Sequence, residues 1–106
     1  MKGKDFILGR IVEVVNKTAP SSEVYLFGSR ARETAQKDSD WDFLVLLNAK
    51  NISFDYETRF LDNLYEIELE TGEVLSPLIY SKQEWDTKHS ATPLYSNIKK
   101  EGIRIK

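Results

Sequence analysis

The 106-residue sequence contains no cysteine, which excludes disulfide staples, thiolate metal sites and a cysteine nucleophile together. It has one histidine, His89. With no second histidine or cysteine to join it, His89 completes no metal set, and in the polar segment Asp86 to Thr92 it reads as an exposed loop residue. Long apolar runs are missing as well: the longest, Phe43 to Leu47, is far below the roughly 20 residues a membrane span needs. The opening Met-Lys-Gly-Lys lacks the apolar core of a signal peptide, so the expectation is a cytoplasmic protein with no membrane contact. Nor is there an excess of positive charge. Lys+Arg 15 against Asp+Glu 17 leaves a formal charge of -2, no field to hold a long nucleic acid by its backbone, and a small or short substrate fits better.

What is present is ordinary globular composition, 41% hydrophobic, 11% aromatic and 30% charged, which excludes disorder and fibrous repeats. The length suits one domain over residues 1–106. From Asp5 to Thr18, Phe6, Ile7, Leu8, Ile11, Val12, Val14 and Val15 recur at three- and four-residue spacing, and Pro20 stops the pattern, which predicts an opening amphipathic helix. Val24 to Phe27 predicts a buried strand ending at Gly28, followed by a short helix over Ser29 to Ala35 that Ser29 is able to cap. Trp41 to Leu47 is apolar on both faces except at its start, as expected of a central strand covered on both sides. The longest helix runs from Phe54 to near Gly72, and the third strand, Val74 to Tyr80, carries Pro77, which suggests an edge position or a bulge. Ser81 to Glu84 matches a capping box before Trp85, Pro93 and Gly102 bracket a last helix, and Ile103 and Ile105 suit a final short strand. Helices alternating with strands in this way give an α/β (α+β) fold class. Tyr80, Trp85 and Tyr95 read as cover for the sheet in preference to a base-stacking platform. The acids Glu66, Glu68, Glu70 and Glu73 read as a solvated helix face and end.

The segment that carries chemistry is Gly28-Ser29-Arg30-Ala31-Arg32, followed by Ser39-Asp40-Trp41-Asp42-Phe43, with ten residues between Ser29 and Asp40. Strand alternation sends Asp40 and Asp42 to one face, about 7 Å apart, and Trp41 and Phe43 to the other. Converging carboxylates with no nitrogen or sulfur donors select a hard cation, Mg²⁺ or Mn²⁺. Gly28 lets the backbone approach closely, and Ser29 offers a hydroxyl beside free N–H groups at a helix start, a seat for a phosphate. Arg30 and Arg32 either add charge on that phosphate or are solvated helix charges. A phosphate seat facing a hard-metal seat is what phosphoryl or nucleotidyl transfer requires.

With Gly28-Ser29, about ten residues, then Asp40-Trp41-Asp42, the chain resembles the nucleotidyltransferase superfamily that includes DNA polymerase beta, and in particular its minimal stand-alone bacterial and archaeal domains. The resemblance extends over the opening helix, the strand before Gly28, Ala31-Arg32 and Ser39. It implies a small mixed β-sheet with helices packed on one side, and transfer of a nucleoside monophosphate from a nucleoside triphosphate, ATP first among them, to a hydroxyl. Asp40 and Asp42 would be catalytic metal ligands, and Gly28, Ser29, Arg30 and Arg32 the nucleotide-binding set. A helical partner protein, as in toxin-antitoxin-like modules, or a homo-oligomer is implied as well. The same resemblance calls for a third acid on the neighbouring strand, where this chain has Val74-Leu75-Ser76-Pro77. Glu73 is the candidate for that role if an irregular strand start re-aims it. If Ser76 stands at the acid's level instead, the alternative is a weak or inactive module that binds nucleotide and partner with the same fold.

Overall fold

The computed structural model describes residues 3–106; Met1 and Lys2, the first half of the Met-Lys-Gly-Lys start, lie outside them. Helix α1 (Lys4–Thr18) buries Ile7, Ile11 and Val15, one residue per turn along a single stripe, before Pro20 ends the segment. Strand β1 (Glu23–Phe27) alternates strictly, with Val24 and Leu26 buried. Helix α2 (Ser29–Arg32) is one turn long, shorter than the expected Ser29 to Ala35, because Glu33 turns into the left-handed region at φ 61 and closes it back onto the Ser29 carbonyl. Strand β2 (Trp41–Leu47) is followed by helix α3 (Phe54–Thr71), which Ser53 caps by accepting from the Tyr56 N–H and which Gly72 ends at φ 77. Strand β3 (Leu75–Ser81) leads into helix α4 (Lys82–Thr87), capped by Ser81, and helix α5 (Pro93–Glu101), capped by Thr92 with Pro93 in its first turn. Strand β4 is Ile103–Arg104.

The strands lie in the order β3-β2-β1-β4. β1 is antiparallel to β2 and β4, and β3 is parallel to β2, so the sheet is mixed, with β3 at an open edge. Pro77 therefore sits on an edge strand, where a missing N–H is tolerated.

One face of the sheet is closed by α1 and α3: Ile7, Ile11 and Val15 meet Phe60, Leu64 and Ile67 over Val24, Leu26, Phe43 and Val45. The other face departs from the expected one-sided arrangement. Leu44 and Leu46 of β2 also point into an apolar cluster, which Trp85 of α4 and Ile98 of α5 cover with Tyr25, Phe27, Tyr80 and Tyr95 around them. The residues of β2, apolar on both faces, had called for this, and the helices accordingly pack on both sides. Tyr80, Trp85 and Tyr95 cover the sheet, with ring centroids 5.7 Å apart for Tyr80 and Trp85 and 5.2 Å for Trp85 and Tyr95. His89 joins them, 4.4 Å from Tyr80, so it is half-buried on an aromatic surface and not a free loop residue.

Phe43, fully buried at the middle of β2, tests this core. Phe43→Ala is expected to lower stability by about 3–5 kcal/mol, read as an earlier urea midpoint with the slope of the transition unchanged.

Candidate active site

The site forms where three strands present the same level. Asp42 is the second residue of β2, and its neighbours in register are Phe27 at the end of β1 and Ser76 near the start of β3. Asp40 precedes the strand by one residue and shares the face of Asp42 by alternation, while Trp41 turns to the α1/α3 core. The Ser76 hydroxyl donates to Asp40 Oδ2 at 3.0 Å, tying the edge strand to the acidic pair.

Gly28 shapes the opposite wall. Its φ of 74 is in the left-handed region, and a Cβ placed there would lie 2.4 Å from Asp42 Oδ2. The position thus demands glycine twice, for conformation and for contact, and the backbone of the Gly28-Ser29 turn runs directly against the Asp42 carboxylate. Gly28, and not Ser29, is the N-cap of α2, and it has no side chain with which to cap. Ser29 is one position further in, and its hydroxyl makes no hydrogen bond among the described residues. It stands half-buried beside the N–H groups of Ser29 and Arg30, which have no earlier turn to bond to, whereas those of Ala31 and Arg32 donate to the Gly28 carbonyl.

The carboxyl of Asp42 is pushed above its ordinary range, first by burial and then by the charge of Asp40, while Arg32 pulls it back down. Burial is thus the main cause, and the like charge held beside it by the fold adds to it. The guanidinium of Arg32 itself pairs with Glu101 of α5 at 2.9 Å, and it acts on Asp42 through its charge alone. Asp40 and Asp42 stand without a third carboxylate: among the described residues no group of three or more His, Cys, Asp or Glu side chains is placed to hold a metal. The two oxygen-donor side chains and the charge they concentrate fit a hard divalent cation.

Two residues expected with the pair are elsewhere. Arg30 lies with its guanidinium 4.3 Å above the Trp41 ring and donates from Nη2 to the Ser39 carbonyl at 2.8 Å. It fastens the 33–40 loop from the Trp41 side, a role for which the only sequence sign was an arginine before a loop that returns to a tryptophan. Glu73 precedes β3 and lines a crevice with Lys4, Arg30, Lys37 and Trp41, again on the Trp41 side. β3 begins in regular parallel register with β2, Leu75 opposite Trp41, so there is no bulge to turn Glu73 toward Asp40 and Asp42. The level of the expected third acid belongs to Ser76.

A family model for the nucleotidyltransferase domain matches residues 8–105, so the chain belongs to that family. Among solved structures it is similar in fold to a toxin-antitoxin crystallised with AMP-PNP, at 17% identity and a TM-score of 0.65 over 93% of this chain and 72% of that one. It is similar also to a mutant of the toxin-antitoxin MntA-HpeT, at 14% identity and a TM-score of 0.62 over 93% of this chain and 71% of that one. Among curated proteins none matches the sequence. No helix among the described residues is long and apolar enough to cross a membrane.

Two outcomes follow from this geometry. A carboxyl whose folded pKa is raised weakens the fold once pH rises above the ordinary carboxylate range. Asp42→Asn should therefore melt higher than the wild type at neutral pH without metal, and this advantage should shrink as pH is lowered through that range; thermal melts from acid to neutral pH check it. Gly28→Ala, strained in φ and crowding Asp42, should cost about 1–3 kcal/mol of stability, measured by urea unfolding, and an unchanged midpoint would refute the contact.

Proposed function

We propose that this chain moves a nucleoside monophosphate from a nucleoside triphosphate, ATP foremost, onto a hydroxyl acceptor. The observation that carries the reading is the convergence of Asp40 and Asp42 on one face against the Gly28-Ser29 turn. Asp40 and Asp42 would hold Mg²⁺ or Mn²⁺, which when bound draws charge from the phosphate oxygens and orients the reacting groups. The Ser29 hydroxyl and the leading N–H groups of α2 receive the triphosphate, and Arg32 adds positive charge at the same end of the sheet. The acceptor hydroxyl attacks the α-phosphorus and gives up its proton to solvent, the bond to the oxygen bridging to the β-phosphate breaks, and pyrophosphate leaves with those electrons. Glu73 has no part in this, and Glu73→Gln should leave turnover within about twofold of wild type, since a general base would cost about 10²-fold or more.

Support for the substrate comes from the neighbour crystallised with AMP-PNP. The MntA-HpeT neighbour carries two aspartate-to-glutamate changes two residues apart, the spacing of Asp40 and Asp42. Both neighbours are toxin-antitoxin structures, which supports a partner protein as the bearer of the acceptor hydroxyl. A chain of this size in the cytoplasm, with net charge -2, suits such an acceptor, or a second copy of itself, better than a long nucleic acid.

Calorimetric titration with Mn²⁺ and AMP-PNP tests the site. Asp40→Asn or Asp42→Asn should remove divalent-ion binding, and Ser29→Ala should weaken AMP-PNP binding by about 0.5–3 kcal/mol; equal affinities across the series would sink the assignment. A second reading, a nucleotide- and partner-binding module without turnover, is favoured by the lack of a third carboxylate beside the pair. Pyrophosphate release with ATP and a cognate helical partner separates the two, since a module binds AMP-PNP but releases none.

A further inference from the structure

The proposed function leaves the number of cations open, and Ser76 bears on it. Ser76 is opposite Asp42 in the parallel register of β2 and β3, at the level where a side chain from the neighbouring strand can join the acidic pair. It reaches the pair: its hydroxyl donates to Asp40 Oδ2 at 3.0 Å. The nearby acids are turned away from this level. Glu73 lines the crevice with Trp41 and Arg30, and Glu68 accepts from the Leu75 N–H at 2.7 Å.

We infer that Ser76 makes this a one-cation site, with a single divalent ion shared by Asp40, Asp42 and the triphosphate; the inference rests on the nucleotidyltransferase reading above. Ligands decide it. The triphosphate brings negative charge enough for either count, but the protein brings only the carboxylates of Asp40 and Asp42, which one divalent ion uses, so a second ion about 3.5–4 Å away would find no carboxylate on the neighbouring strand, where Ser76 stands. The hydroxyl is neutral, and its proton already points at Asp40 Oδ2, so that oxygen is partly taken and the Asp40 carboxylate is held in one orientation. Ser76 is thus a positioning residue for Asp40, and the serine limits the site to the ion that Asp40, Asp42 and the nucleotide hold between them.

The test counts Mn²⁺ per ternary complex with AMP-PNP, using the paramagnetic resonance of free Mn²⁺ at saturating protein. The wild type should hold one Mn²⁺ per complex. Ser76→Asp supplies the missing carboxylate and should hold two. Ser76→Asn, of similar size but uncharged, should stay at one, which separates charge from shape. Without metal, Ser76→Asp should melt lower than wild type because three carboxylates crowd one face, and Mn²⁺ should restore it; the wild-type count stands even if that variant fails to fold. Two Mn²⁺ per wild-type complex overturns the inference, as does a Ser76→Asp complex that still holds one. AMP-PNP affinity that is the same in Asp42→Asn and in wild type, with and without Mn²⁺, would instead overturn the proposed function and take this inference with it.

Discussion

The contact between the Gly28 backbone and the Asp42 carboxylate constrains the whole site. A side chain at position 28 would collide with Asp42 Oδ2, so the turn that ends β1 can close over β2 only because that residue is glycine. The same closure starts α2 at the level of the acidic pair and leaves the Ser29 hydroxyl unengaged beside it. It also half-buries Asp42, and burial is the larger cause of its raised pKa, ahead of the charge of Asp40. The proposed anion seat and the proposed cation seat are therefore two consequences of one backbone approach.

The two faces of the sheet divide the labour. On the α1/α3 side, Phe43, Val45, Phe60 and Ile67 form a buried apolar cluster. On the other, β2 changes character along its length, from Asp42 at its start to Leu44 and Leu46 beneath α4 and α5. The apolar half fixes the position of the strand, and the polar half inherits that fixed position. A small domain has little stability to lose to like-charge repulsion, and the rigidity of the central strand, paired on both sides, is what holds Asp40 and Asp42 on one face in spite of it.

Much of this was legible in the sequence, for identifiable reasons. The stripe Ile7-Ile11-Val15, the alternation of β1 and the edge position signalled by Pro77 follow from periodicity and backbone chemistry, which act locally. The pairing of Gly28-Ser29 with Asp40 and Asp42 was legible because strand, turn and strand are consecutive. What escaped depended on contacts between distant segments. The cover that α4 and α5 give the second face was implied by the apolar residues of β2 but not by the family resemblance, and both helices are too short for a strong periodic pattern. His89 looked polar and free in sequence, yet the fold lays it on Tyr80. Arg30 and Glu73 carry charges that suited the site, and only the three-dimensional placement of Trp41 shows them to be on the other side of the sheet.

The open edge of the sheet has a consequence for how molecules of this kind behave in a crowded solution. β3 offers one unpaired flank, and an unprotected flank of this length is a template on which another chain can add a strand. Pro77 stands in the middle of it, opposite Phe43, and removes one of the donors that an added strand would have to meet. The residue that confines β3 to the edge therefore also blunts that edge, so that the strand which brings Ser76 to Asp40 is guarded against edge-to-edge aggregation.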